Sequence, residues 1–151
     1  MVPYLLKTED NPAGADASVL DQMKAQIRKD RFAFLQTFAK QFYGVGVISK
    51  PVSQALLDWT FMLAVMASPL ATIQCVDAFG KTDFRKDLAS FTIPTLVIHG
   101  TSDSTVPIDT AGRAAAKGIS GARLIEYESE PHGLFATAPE RLNADLIEFI
   151  G

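Results

Sequence analysis

The stretch IPTLVIHGTSDSTVP, residues 93–107, decides the fold class of this chain. Its run of apolar and β-branched residues, Thr95 to Ile98, lacks the alternation of a strand with one wet face, so it predicts a strand buried on both faces of a parallel sheet. Asp103 follows just past the carboxyl end of that strand. Open α/β sheets carry their functional side chains at this edge, which makes Asp103 the first candidate site residue.

The composition limits the classes of protein to which the chain can belong. It has 151 residues, 48% of them hydrophobic and 21% charged, with a net charge of −3, which predicts one globular domain and no nucleic-acid partner. The single cysteine, Cys75, is interpreted as a buried core thiol in a reducing compartment. No segment approaches the ~20 apolar residues of a membrane span, so we expect a cytoplasmic protein with no membrane partner.

The chain divides into a helical block and a β-α-β-α block. After an extended lead-in over residues 1–17, apolar spacing and caps predict four helices, and from Ile93 the pattern changes to strand, helix, strand and helix with short connections. The predicted helices are 18–29, 31–42, 52–67 and 69–80, followed by strand 95–98, helix 110–117, strand 123–127 and helix 139–150. Two parallel strands are too few to form a stable sheet, so either Pro3–Lys7 or another chain is expected to add a strand.

His132 is the natural partner of Asp103. It lies in ESEPHGLF, in the loop after the second strand, and loops that leave the same edge of a parallel sheet can bring a carboxylate to an imidazole. Such a carboxylate fixes the tautomer of the histidine, whose other nitrogen then takes a proton from a nucleophile. The alternative from these two residues alone is a loop aspartate that caps the next helix and an unrelated surface histidine.

The sequence segments around these residues resemble one protein family. PTLVIHGTSDSTVP followed by EPHGL and a terminal helix resembles the C-terminal end of the α/β-hydrolase fold, and DFRKDLASFTIPTLVIHG, CVDAF, FYG and LNADLIEFI resemble its cofactor-free haloperoxidase, arylesterase and perhydrolase branch. The resemblance implies a helical cap over residues 18–88 and the end of the hydrolase core over 89–151. It also implies that Asp103 is the triad acid, that His132 is the triad base, and that His99 is structural.

The nucleophile of such a triad is missing from the pattern. The one candidate for a nucleophile elbow, GISGA at residues 118–122, ends a predicted helix and opens a strand, whereas an elbow must do the reverse. The resemblance therefore implies that the serine and the oxyanion hole come from a segment before Met1 or from a partner chain. Among the cap aromatics, Phe61 and Trp59 either line a substrate pocket or belong to the core; core is favoured for Trp59 and neither for Phe61.

Three functions follow as hypotheses. The preferred one is a serine hydrolase of small carboxylic esters, with water or hydrogen peroxide as the second acceptor, to which this chain supplies acid and histidine. The second is a non-catalytic truncated fragment that associates with a second copy of itself. The third is an enzyme that uses Asp103 and His132 for acid–base chemistry without a serine. Because the only histidines, His99 and His132, stand in separate loops without ligand spacing, no metal or other cofactor is expected.

Overall fold

The computed structural model describes residues 2–151, so the first residue of the predicted lead-in, Met1, lies outside the described residues. The chain forms a helical part followed by a two-stranded parallel sheet with its helices. In chain order the elements are α1 (Ser18–Lys29), α2 (Arg31–Phe42), α3 (Gln54–Met66), α4 (Pro69–Lys81), β1 (Leu96–Gly100), α5 (Gly112–Gly118), β2 (Arg123–Tyr127), α6 (Leu134–Thr137) and α7 (Pro139–Ile150), with 3₁₀ turns at Leu88–Ser90 and Ile108–Thr110.

Local capping explains where the helices of the first part begin. The side chain of Asp30 accepts a hydrogen bond from the amide of Ala33, and Ser53 and Ser68 cap α3 and α4 in the same way. Pro69, directly after its cap, needs no amide donor in the first turn. Because these signals are local, the predicted boundaries agree with the structure to within about two residues; α6 was not predicted.

Two small clusters of buried side chains hold the helices together. Leu20, Ile27 and Val76 join α1 to α4, while Ala39, Tyr43 and Leu57 join α2 to α3. Apolar burial of this kind is the main favourable contribution to folding.

Arg31 links α2 to α3 by hydrogen bonds. Its guanidinium donates to the carbonyl oxygens of Ala64, Val65 and Ala67 at 2.9, 3.2 and 2.7 Å. These carbonyls belong to the last turn of α3 and the residue that follows it, where helical partners are lacking. One side chain therefore closes the end of α3 and fixes it against α2.

The sheet has the two strands that the sequence predicts, but β1 is less buried than expected. β1 and β2 pair in parallel, with Leu96 opposite Arg123 and Gly100 opposite Tyr127. Leu96 to His99 are only partly buried, because within residues 2–151 each strand pairs on one side alone. Of the two predicted sources of a further strand, Pro3–Lys7 is excluded, since Leu6 makes only an isolated bridge to Ala15. That another chain or segment adds strands remains a prediction.

Two predictions of burial are corrected by the structure. Cys75, interpreted as a core thiol, is exposed on α4. Trp59, for which the core was favoured, is 59% exposed, because α3 turns Leu57 inward and leaves Trp59 outside. α3 is apolar around most of its circumference, so its periodicity does not define a single buried face.

Between residues 2 and 151, no single helix has the length and apolar character needed to cross a bilayer. α3 and α4 reach that length only together, and they are bent by 97° at the break between them.

Candidate active site

The carboxylate of Asp103 is held by the loop that follows β1. Its side chain is 2% exposed. Oδ1 accepts hydrogen bonds from the backbone amides of Thr105 at 2.9 Å and Val106 at 2.7 Å, which leaves Oδ2 directed toward the neighbouring loop. This is the local turn that an aspartate makes with amides two and three residues further on.

The loop after β2 is fastened to the end of β1 by backbone contacts. The amide of Thr101 donates to the carbonyl of Tyr127 at 2.9 Å, and that of Ser102 donates to the carbonyl of Glu130 at 3.0 Å. Gly100 permits this approach, since a Cβ at that position would lie 2.2 Å from the carbonyl oxygen of Glu130. The loop that carries His132 thus rests directly on the end of the adjacent strand.

Asp103 and His132 form a direct pair, as their positions at neighbouring strand ends predict. Nδ1 of His132 lies 2.6 Å from Oδ2 of Asp103, a short charge-assisted hydrogen bond. Burial alone raises the pKa of Asp103, but the hydrogen bonds from His132, His99 and the amide of Val106 outweigh it and hold the pKa well below its usual range. Because the ionised carboxylate can only accept, Nδ1 of His132 carries the proton and a neutral ring keeps Nε2 as an acceptor.

His132 is open on its other side. Its side chain is 33% exposed, and no residue between 2 and 151 gives Nε2 a hydrogen-bond partner. The ring packs edge-on against Phe42, with 4.7 Å between the ring centroids. The arrangement can therefore take a proton from, and return it to, a group placed beside Nε2.

An apolar cavity of about 940 Å³ lies next to His132. Its wall includes Phe34, Phe38 and Phe42, which recur at four-residue spacing along α2. The four-residue spacing puts the three rings on one face of α2, and nothing in the sequence connects that face to the site. The connection is made by two contacts: the Gln41 side chain donates to the carbonyl of Ser104 at 2.9 Å, and the amide of Gly133 donates to the carbonyl of Phe42 at 3.0 Å.

The structure does not bring the other predicted pocket residues to this cavity. Phe61 lines a separate, smaller depression of about 250 Å³ and packs against Phe32, while Trp59 lines neither. That Phe61 and Trp59 bind substrate stays a prediction, since neither side chain lines the cavity beside His132 within residues 2–151.

No serine hydroxyl is hydrogen-bonded to His132 among the contacts of residues 2–151. Ser120 lies in the exposed turn between α5 and β2, at the amino end of β2, whereas His132 follows its carboxyl end. The five residues of β2 span about 16 Å. Ser102 and Ser104 flank the buried Asp103 but are themselves exposed, and Ser129 is exposed in its turn. No group of three or more metal-ligating side chains occurs within residues 2–151.

In this chain an aspartate follows the first parallel strand and a histidine follows the second. Comparison with solved structures identifies the class of proteins that share this arrangement. The bromoperoxidase of Bacillus anthracis has a TM-score of 0.93 at 41% identity, over 99% of this chain and 54% of that one. An esterase of Exiguobacterium antarcticum has a TM-score of 0.89 at 27% identity, over 99% of this chain and 53% of that one. The chain therefore has the fold of the C-terminal portion of an α/β-hydrolase.

Sequence comparison narrows the class. The chain is 38% identical to a non-heme chloroperoxidase of Kitasatospora aureofaciens and 34% identical to a bifunctional esterase/perhydrolase of Acinetobacter calcoaceticus. Each match covers 98% of this chain and 54% of the relative, so the chain spans about half the length of the curated relatives it matches. No protein-family model matches it. The chain belongs to the α/β-hydrolases of the non-heme chloroperoxidase, esterase and perhydrolase type and corresponds to their C-terminal part.

Proposed function

We propose that the chain supplies the acid and the base of a Ser-His-Asp triad in a hydrolase of small carboxylic esters. The observation that carries this proposal is the 2.6 Å bond between His132 Nδ1 and Asp103 Oδ2, which leaves Nε2 free beside an apolar cavity. The nucleophilic serine and the oxyanion hole come, in this proposal, from a segment outside this sequence. The positions of Ser102, Ser104, Ser120 and Ser129 support that part of it.

The chemistry follows from the free nitrogen. Nε2 of His132 takes the proton of the serine hydroxyl while the serine oxygen attacks the carbonyl carbon of the ester, and Asp103 stabilises the imidazolium that forms. The imidazolium then gives its proton to the departing alcohol, which leaves an acyl-serine. Water cleaves the acyl-serine to a carboxylic acid; hydrogen peroxide as the acceptor releases a peracid instead, with the serine hydroxyl restored in either case.

The cavity beside His132 is the proposed site for the acyl group. Its phenylalanine wall on α2 favours an apolar acyl chain or ring, and its volume falls within the range of small-molecule sites. In this proposal Phe34, Phe38 and Phe42 take the role that the sequence suggested for Phe61 and Trp59. The bond from Gln41 to Ser104 holds the wall at a fixed distance from the acid loop.

The uncovered parts of the fold support a missing segment. β1 and β2 each pair on one side only within residues 2–151, and no residue of α7 is buried although Ile147 and Ile150 are apolar. Strands with open edges and helices with bare apolar faces are expected to be covered in a stable protein. We propose that the segment which carries the serine also supplies the neighbouring strands.

A chimera tests the proposal. The N-terminal part of the Bacillus anthracis bromoperoxidase that this chain does not match would be joined to the chain, and hydrolysis of p-nitrophenyl acetate measured. The chimera is expected to turn over the ester, His132→Ala to abolish turnover to within the assay background, and Asp103→Asn to lower kcat by on the order of 10³- to 10⁴-fold. Ser120→Ala, an exposed serine at the opposite end of β2, is the matched control and should leave kcat unchanged.

The chain alone, in contrast to the chimera, is expected to have no activated serine and no ester turnover. A fluorophosphonate probe, which labels activated serines, should leave its intact mass unchanged. A single adduct removed by Ser120→Ala would refute the proposed division of the triad. Ester turnover by the chain without any adduct would favour acid–base chemistry that uses no serine.

A non-catalytic, self-associating protein is the second candidate function. The open strand edges and the bare apolar face of α7 favour it, since a second copy could cover them. Sedimentation of the chain over a range of concentrations tests this candidate. A monomer that melts cooperatively would exclude self-association as the means by which the chain completes its core.

A further inference from the structure

Both histidines of the chain reach the same carboxylate oxygen. Besides His132, His99 on β1 places Nε2 3.2 Å from Oδ2 of Asp103 and 2.8 Å from the carbonyl oxygen of Val106. A carbonyl can only accept, so Nε2 of His99 carries a proton and donates into the acid loop. The side chain is 12% exposed, so this donor works in a largely dry environment.

Val106 closes a ring of contacts between the strand and the carboxylate. Its amide donates to Oδ1 of Asp103 at 2.7 Å, and its carbonyl accepts from His99. The backbone of Gly112 packs closely against the ring of His99, since a Cβ at Gly112 would lie 2.7 Å from Nδ1 of that ring. The orientation of the Asp103 carboxylate is thus set from a regular strand as well as by its own loop.

We infer that His99 is a positioning residue, which anchors the acid loop to β1 and fixes Oδ2 of Asp103 toward His132. This inference rests on the proposed function, since it assigns His99 a role in the same triad. The sequence suggested only that His99 is structural; the structure adds a direct approach to the carboxylate that orients the proposed catalytic base.

Charges around His99 agree with this arrangement. Asp103 has the largest effect on the imidazole and raises its pKa, against the opposite effect of burial. Glu126, opposite His99 in the strand register, acts in the same direction, and its own charge is paired with Arg113. Because the carbonyl of Val106 keeps the proton on Nε2, His99 presents an N–H 3.2 Å from Asp103 in both of its protonation states.

Proton NMR of the 151-residue chain tests the inference without any ester turnover. A proton in a short imidazole–carboxylate bond gives a far-downfield signal, and with only two histidines the signal of His132 is assigned by its loss in His132→Ala. We expect His99→Leu, which fills the space without a donor, to abolish this signal or to speed its exchange with water by at least about tenfold. His99→Gln can still donate to Val106 and should retain the signal.

Two further variants separate positioning from a general loss of stability. Val97→Ala, on the same strand, should lower the melting temperature and leave the signal unchanged. If His99→Leu does not fold, His99→Asn replaces it, since its shorter amide does not reach the carbonyl of Val106 and the signal should again be lost. An unchanged signal with unchanged exchange in whichever of these folds would overturn the inference alone. Absence of the signal in the unsubstituted chain would overturn the Asp103–His132 pair as well.

Discussion

Gly100 offers the most direct test of how the two site loops are held together. The ideal Cβ of an alanine at this position would lie 2.2 Å from the carbonyl oxygen of Glu130 and 2.6 Å from that of Pro131. Carbon and oxygen atoms that are not bonded stay more than about 3.2 Å apart, so the loop after β2 must move by about 1 Å. Both contacts are with backbone, so no side-chain rotation can relieve them.

The consequence reaches the proposed catalytic pair. His132 follows Pro131 directly, so a displacement of about 1 Å along the bond would lengthen its 2.6 Å bond to Asp103 to about 3.6 Å, which is no longer a hydrogen bond. We expect Gly100→Ala to lower the free energy of unfolding by about 1–3 kcal/mol, the usual cost of overpacking. It should also remove the downfield proton signal of His132.

The assay is a chemical denaturation curve together with the proton spectrum. Gly46→Ala is the matched control, because a Cβ there meets nothing within 4 Å. This control should change the free energy of unfolding by no more than about 1 kcal/mol and keep the signal. The reasoning is refuted if Gly100→Ala unfolds like Gly46→Ala and retains the His132 signal, since the loop contact would then not constrain the pair.

Two further predictions concern stability. Arg31→Met removes three hydrogen bonds at the end of α3 and should lower the free energy of unfolding, measured by chemical denaturation, by about 1–3 kcal/mol. Arg28→Met, at an exposed position, should lower it by less than about 0.5 kcal/mol. Equal losses in the two variants would contradict the role of Arg31 in fixing α3 against α2. Because the pKa of Asp103 is lowered on folding, its ionised form stabilises the fold above the unfolded value near 3.9 and this contribution disappears as the pH falls through the folded value. Asp103→Asn should therefore reduce stability at neutral pH by about 2 kcal/mol and by less toward pH 3, measured as denaturation midpoints; a loss that grows on acidification would contradict the sign.

Features determined by neighbours in the chain could be predicted from the sequence. Helix starts at Asp30, Ser53 and Ser68 depend on a side chain and an amide two or three residues away, and such signals can be read directly. The approach of Asp103 to His132 was predictable for a similar reason. Parallel strands joined by a crossover helix have their carboxyl ends on one edge, so the loops that follow them are neighbours.

Features determined by what packs against a face could not be predicted. The spacing of Leu56, Trp59, Leu63 and Met66 marks one apolar stripe, but α3 buries Leu57 and leaves Trp59, Leu63 and Met66 exposed. Periodicity shows that a face is apolar and does not identify the element that covers it. The same holds for the phenylalanines of α2, whose connection to His132 depends on the bonds from Gln41 to Ser104 and from Gly133 to Phe42, and no sequence pattern indicates these.

The end of α2 links substrate binding to chemistry in the proposed hydrolase. Phe42 borders the cavity, packs against the imidazole of His132 and accepts the amide of Gly133 through its carbonyl, while Gln41 holds the carbonyl of Ser104 in the acid loop. Neither loop can move far without disturbing α2, and α2 cannot move without changing the cavity wall. A change at this helix end should therefore alter kcat and KM together, whereas a change further along the wall, at Phe34, should act mainly on KM.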